Sequence, residues 1–234
     1  MKKVLTAALL CAVSSFAAWD YFPVIENGKG EAKLEFSSSR QAYDASGDFG
    51  FKIRYSPLEN LEIMSKFEGL GTISGEGNHI IGARYQIIPM LSAGVDIGLP
   101  IPAPVWNFTP SIQFSMPFSE ALVLGSNVAF TIPMENAETE YTDFMSLSAG
   151  IELDFTIGQS MLWVAFDIET GIGEDSADNK AKDAGRGLGF TPAVGYVASI
   201  GSLSLGTSVA FSLGEDAGND PVRTTIGIDA SVKF

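Results

Sequence analysis

Cysteine is almost missing: the 234 residues hold one, Cys11. It sits in an apolar run from Val4 to Val13 that follows Lys2 and Lys3 and precedes Ser15-Phe16-Ala17, small residues at the two positions a signal peptidase inspects. Residues 1–17 therefore read as a cleaved secretory signal, since a run of about ten residues is half a spanning helix. The remainder has no cysteine, which excludes disulfide frameworks, thiol nucleophiles and thiolate metal sites. Histidine is as scarce. The single one, His79, stands between Asn78 and Ile80, so it reads as a solvated residue at a loop edge, and no catalytic residue is assigned. Positive charge is short too: 14 Lys and Arg against 28 Asp and Glu give −14. A chain this acidic is repelled by nucleic acid and by anionic headgroups. Long hydrophobic runs are absent after the leader; the richest stretch, residues 87–108, is broken by Pro89, Pro100, Pro102 and Pro104 and carries Asp96.

Yet 46% of the residues are hydrophobic and mean hydropathy is +0.20. The apolar residues must be spread over many short elements, and they recur at every second position, the period of a strand with two different faces. The series runs from Leu34 and Phe36 through Phe49-Phe51-Ile53-Tyr55 and Leu91-Ala93-Val95-Ile97-Leu99 to Ile226-Ile228-Ala230-Val232-Phe234. In all it gives about twelve strands in residues 31–234, with residues 18–30 as a periplasmic N-terminal segment that lies at the inner interface or tucks into the lumen. Connections alternate between short turns, such as 56–60, 88–90, 157–159 and 199–201, and longer polar stretches at 69–78, 133–142, 171–187 and 214–221. Two hairpins are near-copies: FTPSIQFSMPFSEALVLGSNVAFTI from Phe108 and FTPAVGYVASIGSLSLGTSVAFSL from Phe190.

Aromatics decide between a soluble sandwich and a membrane barrel. Tyr55, Tyr85, Phe114, Phe155, Tyr196 and Phe234 fall at the short-turn end of the apolar parity; Phe49, Phe67, Trp106, Phe108, Phe130, Phe190 and Phe211 fall toward the long loops. Two aromatic girdles with aliphatic residues between them belong to a lipid-facing wall. The expected fold is all-β: an antiparallel up-and-down transmembrane β-barrel with short periplasmic turns and longer extracellular loops. Pro110 and Pro192 fall inside strands of this barrel, where bulges or early strand ends are expected. Pro100 to Pro104 read as a stiff loop.

The leader, the even meander and the aromatic last strand resemble Gram-negative outer-membrane β-barrel proteins of the porin type. The resemblance implies insertion by the barrel-assembly machinery, with Phe234 as the assembly signal, and contact with outer-membrane lipid and lipopolysaccharide. Enzymes of this fold pair histidine with serine two residues on, or with an adjacent aspartate; position 81 is Ile, so no enzyme is expected.

If the apolar parity meets lipid, the opposite parity lines a lumen. Its basic members, Lys33, Lys52, Arg54, Lys66 and Arg84, fall on early strands with Glu35, Glu62 and Glu68 among them, and Asp96, Glu152, Asp154, Asp167, Glu169 and Asp229 follow on later ones. Such arcs set a transverse field in a wet pore, or else pair as structural ions in a filled lumen. Small lumenal residues, among them Gly94, Gly125, Gly195 and Gly206, leave volume for water. The function expected is passive diffusion of small hydrophilic solutes or ions; the alternative is a closed structural or adhesive barrel acting through the acidic loops. No cofactor and no metal site is called for.

Overall fold

The computed structural model describes residues 24–41, 44–69, 77–101, 106–134, 145–172, 188–214 and 222–234. The leader, the aromatics Trp19, Tyr21 and Phe22, the loop prolines 102 and 104 and most of the acidic loop residues lie outside them. Twelve strands form: β1 (Gly30–Gln41), β2 (Asp44–Leu58), β3 (Leu61–Glu68), β4 (Gly77–Ile88), β5 (Leu91–Ile101), β6 (Trp106–Pro117), β7 (Leu122–Met134), β8 (Met145–Ile157), β9 (Ser160–Ile172), β10 (Leu188–Ile200), β11 (Leu203–Gly214) and β12 (Val222–Lys233). Each pairs antiparallel with its sequence neighbours, and β12 pairs with β1, so the sheet closes into a barrel without an edge.

The alternation explains the closure. In β12, Ile226, Ile228 and Val232 face outward at 54%, 56% and 42% exposure, while Ser231, between the last two, is 3% exposed. The same two-residue rhythm turns Leu34, Phe36, Ile63, Ile81, Tyr85, Ile112, Ile151 and Leu205 outward. An exterior of exposed aliphatic and aromatic side chains over an interior of charged and hydroxyl groups inverts a soluble protein, and only lipid makes it stable. Both girdles are present: Tyr55, Tyr85, Phe155, Tyr196 and Phe234 are exposed at the turn side, Phe49, Trp106 and Phe211 at the loop side.

Turn-side hairpins are tight. Asn60 has φ 65°, and Gly158 and Gly201 have φ 63°, a left-handed conformation that Asn and Gly adopt most readily. On the other side the connections span residues 69–76, 135–144, 173–187 and 215–221, and those at 42–43 and 102–105 are short.

The prolines do not end strands or create bulges as expected. Pro110 lies within β6, opposite Val95, and Pro192 within β10, opposite Phe166. The ladder to the other neighbour merely skips a step there: β6–β7 pairing passes from Phe108↔Ile132 to Ser111↔Ala129, and β10–β11 from Phe190↔Leu213 to Ala193↔Ala210, with no change of register. Proline removes one donor but not the extended backbone. At the first gap the hydroxyls of Thr109 and Thr131 hydrogen-bond across it at 3.1 Å. The two near-copy hairpins thus share the same interruption. The shifts that do occur lie elsewhere, at Tyr55/Leu58 and Gln86/Ile88 beside turns.

Candidate functional site: the barrel lumen

Strand register stacks the inward residues into a continuous charged wall. On β1 to β5 and β12, cations and carboxylates alternate. Arg54 Nη2 meets Glu31 Oε2 at 2.7 Å, with its Nε donating to the same oxygen at 3.1 Å, and Nη1 lies 3.6 Å from Glu62. Glu62 also faces Arg84 at 3.6 Å, and Arg84 faces Asp96 at 3.8 Å. Nearer the loop side, Lys33 pairs with Glu35 at 3.0 Å and Asp229 at 3.6 Å, and Lys52 with Glu35 at 2.7 Å and Glu68 at 3.7 Å. Lys66 and Lys52 sit side by side in the β2–β3 ladder, and Lys66 is buried.

The basic arc expected from the sequence is therefore no basic surface. Glu31, Glu35, Glu62, Glu68 and Asp96 interleave with its cations and neutralise much of it. The opposite wall differs. Glu152, Asp154, Asp167 and Glu169 come from β8 and β9 with no Lys or Arg on those strands. Glu152 and Asp154 are each 1% exposed, and none of their four carboxylate oxygens has a hydrogen-bond donor among the described residues. Glu169 is exposed at the loop side and Asp167 is half-buried. Among the described residues, Glu152 and Asp154 are the buried carboxylates of this wall without a donor, and they lie on one arc.

The structure reverses a second expectation. Four lumenal glycines do not leave open volume; each receives the side chain beside it. A Cβ at Gly82 would strike Asp96 and Met64, at Gly94 Arg84, at Gly195 the Trp163 ring and at Gly206 Asp229. In every case the intruding charge or ring stands directly opposite in the ladder. Trp163 is the lumenal residue the sequence reading passed over. The alternation of Leu162, Val164 and Phe166 already placed it inward.

Accessibility falls toward the turn side. Glu31, Arg54, Glu62, Arg84 and Gln113 are 1–2% exposed. The segment ahead of β1 adds to this, since Ile25 N–H donates to Glu62 Oε2 at 3.1 Å and Gly28 N–H to the Ser56 carbonyl at 2.8 Å. Residues 25–28 thereby reach the turn-side end of the lumen.

His79 is not a solvated loop residue. It lies in β4 on the outer face, stacked on Phe67 with ring centroids 3.9 Å apart and planes 6° from parallel, and bonded to Ser65 at 3.0 Å.

Breaking the ion-pair network has a defined consequence. Arg54→Met leaves Glu31 buried without its guanidinium partner and Glu62 with Arg84 alone, and the loss of one member of a buried pair costs about 3–5 kcal/mol. Urea unfolding of the barrel in lipid vesicles should show a loss of that size, and an unchanged midpoint would mean that the network is idle.

Comparison with known proteins places this architecture. An outer-membrane channel from Pseudomonas putida F1 superposes with a TM-score of 0.66 at 15% identity, covering 93% of this chain and 99% of its own. The KdgM porin, in complex with disordered oligogalacturonate, gives 0.59 at 10% identity over 86% and 99%. The NanC porin gives 0.59 at 6% identity over 87% and 100%. No curated protein matches the chain by sequence. The fold is thus that of outer-membrane porins, and the apolar exterior places it in the outer membrane. A family model covers residues 28–226, nearly the whole barrel, and by that match the chain belongs to the family described as the putative MetA pathway of phenol degradation.

Proposed function

We propose that the protein is a passive outer-membrane channel for small hydrophilic solutes, with a preference for cations. The observation that carries this reading is the buried Glu152–Asp154 pair, whose carboxylate oxygens have no donor among the described residues. Buried carboxylates are satisfied by protein, water or a solute cation. A lumen filled for structural purposes would have paired them, as it pairs Arg54 and Arg84. The turn-side girdle of Glu31, Arg54, Glu62 and Arg84 then forms the constriction, and the half-exposed loop-side wall the vestibule. KdgM is described with oligogalacturonate, a polyanion; the acidic arc here favours the opposite charge.

One observation favours the alternative of a closed barrel acting through its acidic loops, namely the near-zero exposure of that girdle. Proteoliposome swelling separates the two readings. Liposomes carrying the purified barrel should swell in small neutral sugars and amino acids; failure to swell, with the barrel shown to be inserted by a heat-modifiable gel shift, would favour the closed form.

Phe234 fits the role of an assembly signal read by the barrel-assembly machinery. Lipid and lipopolysaccharide contact the apolar exterior. His79 stacks on Phe67 on the outer face of β4, away from the lumenal charges.

A further inference from the structure

Near its loop-side end β1 carries Ser38, Ser39 and Arg40. Ser39 bonds the Thr225 hydroxyl at 2.8 Å and shares the lumenal parity of Lys33 and Glu35. Ser38 and Arg40 share the outward parity of Leu34 and Phe36, and all four are exposed. Among the described strand residues Arg40 is the one Lys or Arg on that outward parity. Its height follows from the ladder. Gly30, ten residues before it on the same strand, pairs with Tyr55 of the turn-side girdle. Ten residues rise roughly 34 Å along a strand, or about 26 Å along the membrane normal at a tilt near 40°. The apolar band of such a barrel is about 25 Å tall, so Arg40 stands where the headgroups of the outer leaflet begin, a depth at which an outward arginine costs little.

Elsewhere the wall stays apolar to this height. On β8 the same ten-residue step from Phe155 reaches Met145, and at their loop-side ends β6 and β10 carry Trp106 and Leu188, all exposed. On β12 Thr224 stands opposite Arg40, and on β2 Gly47 stands opposite Ser38. Gly47 keeps the wall low there: nothing lies nearer to where its Cβ would be than the Phe36 ring, at 3.9 Å. A guanidinium, two hydroxyls and an aromatic ring below them thus share one patch of the outer wall. A guanidinium takes a phosphate through two parallel N–H bonds, hydroxyls match sugar and phosphate oxygens, and the ring meets acyl chains at the interface. The sign of the charge narrows the partner further. With −14 overall, the chain repels anionic headgroups, and Arg40 is the local exception on its lipid-facing side. The loop side faces the outer leaflet, whose anionic lipid is a phosphorylated glycolipid.

We propose that Arg40, with Ser38 and Thr224, is a docking site for the phosphorylated diglucosamine headgroup of outer-leaflet lipopolysaccharide. The site lies on the outer wall and does not depend on the channel reading. Diphosphoryl lipid A is the probe, added to the full-length purified barrel in a neutral detergent, with bound lipid counted by native mass spectrometry. Wild-type protein should bind it saturably. In R40Q the apparent affinity should fall by roughly tenfold, as for one lost bidentate contact to a phosphate, and R40K should fall between the two. K29Q, on the turn side, should bind like wild type. Lipid A stripped of its phosphates should bind wild type and R40Q equally weakly, and inorganic phosphate should not displace the diphosphoryl form. A heat-modifiable gel shift verifies that each variant remains folded. Equal affinity of wild type and R40Q for diphosphoryl lipid A, or its displacement by inorganic phosphate, would overturn the site. Phosphatidylglycerol bound as tightly and with the same dependence on Arg40 would overturn its assignment to the glycolipid, and a lipid-free dimer lost in R40Q would replace the lipid by a second copy of the chain. A barrel that carries no current but binds lipid A through Arg40 would overturn the channel and leave the docking site standing.

Discussion

Deleting Phe234 should remove most of the protein from the outer membrane while costing an already folded barrel little. Phe234 closes the last rung of the β1–β12 seam: Gly30 N–H donates to its carbonyl at 2.8 Å and its own N–H donates to the Gly30 carbonyl at 3.0 Å. Its ring lies over Gly30, where a Cβ would collide with it, so the seam's first residue is shaped to seat its last. Two hydrogen bonds at roughly 0.5–1.5 kcal/mol net each amount to about 1–3 kcal/mol, a small part of a twelve-strand ladder. During insertion, however, that rung brings together the two strands whose open edges otherwise invite mispairing. Membrane fractionation with a heat-modifiable gel shift should show the deletion variant largely unassembled, and Gly30→Val, which occupies the ring's seat, partly so. Refolded into vesicles, the deletion variant should unfold close to wild type. Wild-type levels of the deletion variant in the membrane would refute the role given to this residue.

Reversing the acidic arc should reverse the preference of the pore. Asp154→Lys with Glu169→Lys changes the lumen by four unit charges on a wall with no cation of its own among the described residues of β8 and β9. At ~8 Å and an effective dielectric constant near 40, one charge acts on a passing ion with about 1 kcal/mol. The potassium-to-chloride permeability ratio should therefore fall by at least about tenfold, read from reversal potentials in a salt gradient. Asp154→Asn with Glu169→Gln should give roughly half of that change on a free-energy scale. An unmoved ratio in the lysine variant would remove this arc from the ion path.

The strands were legible because lipid demands alternation: within each strand most residues of one parity are apolar, as in Ile226, Ile228, Ala230 and Val232, and that pattern marks the strands, their faces and the girdles. Parity between neighbouring positions followed too: Arg54, Arg84, Glu152 and Asp154 are buried while the apolar residues Tyr55, Tyr85, Ile151 and Phe155 beside them are exposed. Their relations to one another did not follow, because pairing depends on register between strands. Arg54 and Glu31 are 23 residues apart, and only the β1–β2 ladder makes them neighbours. That is why one arc looked basic when its carboxylates in fact neutralise it. The glycines misled for the same reason. A small residue looks like free volume until its cross-strand partner, Trp163 for Gly195 or Asp229 for Gly206, is known to occupy it. Pro110 and Pro192 obeyed the rule against donating to a ladder, yet the expected bulge did not form, since one skipped step is enough in a strand otherwise paired on both sides.

The central claim, a conducting lumen with an acidic arc, is tested most directly by recording the wild-type barrel in a planar bilayer under a potassium chloride gradient. Discrete current steps with a reversal potential on the potassium side are the predicted result. A fully inserted barrel that is electrically silent, or one that favours chloride, would contradict it.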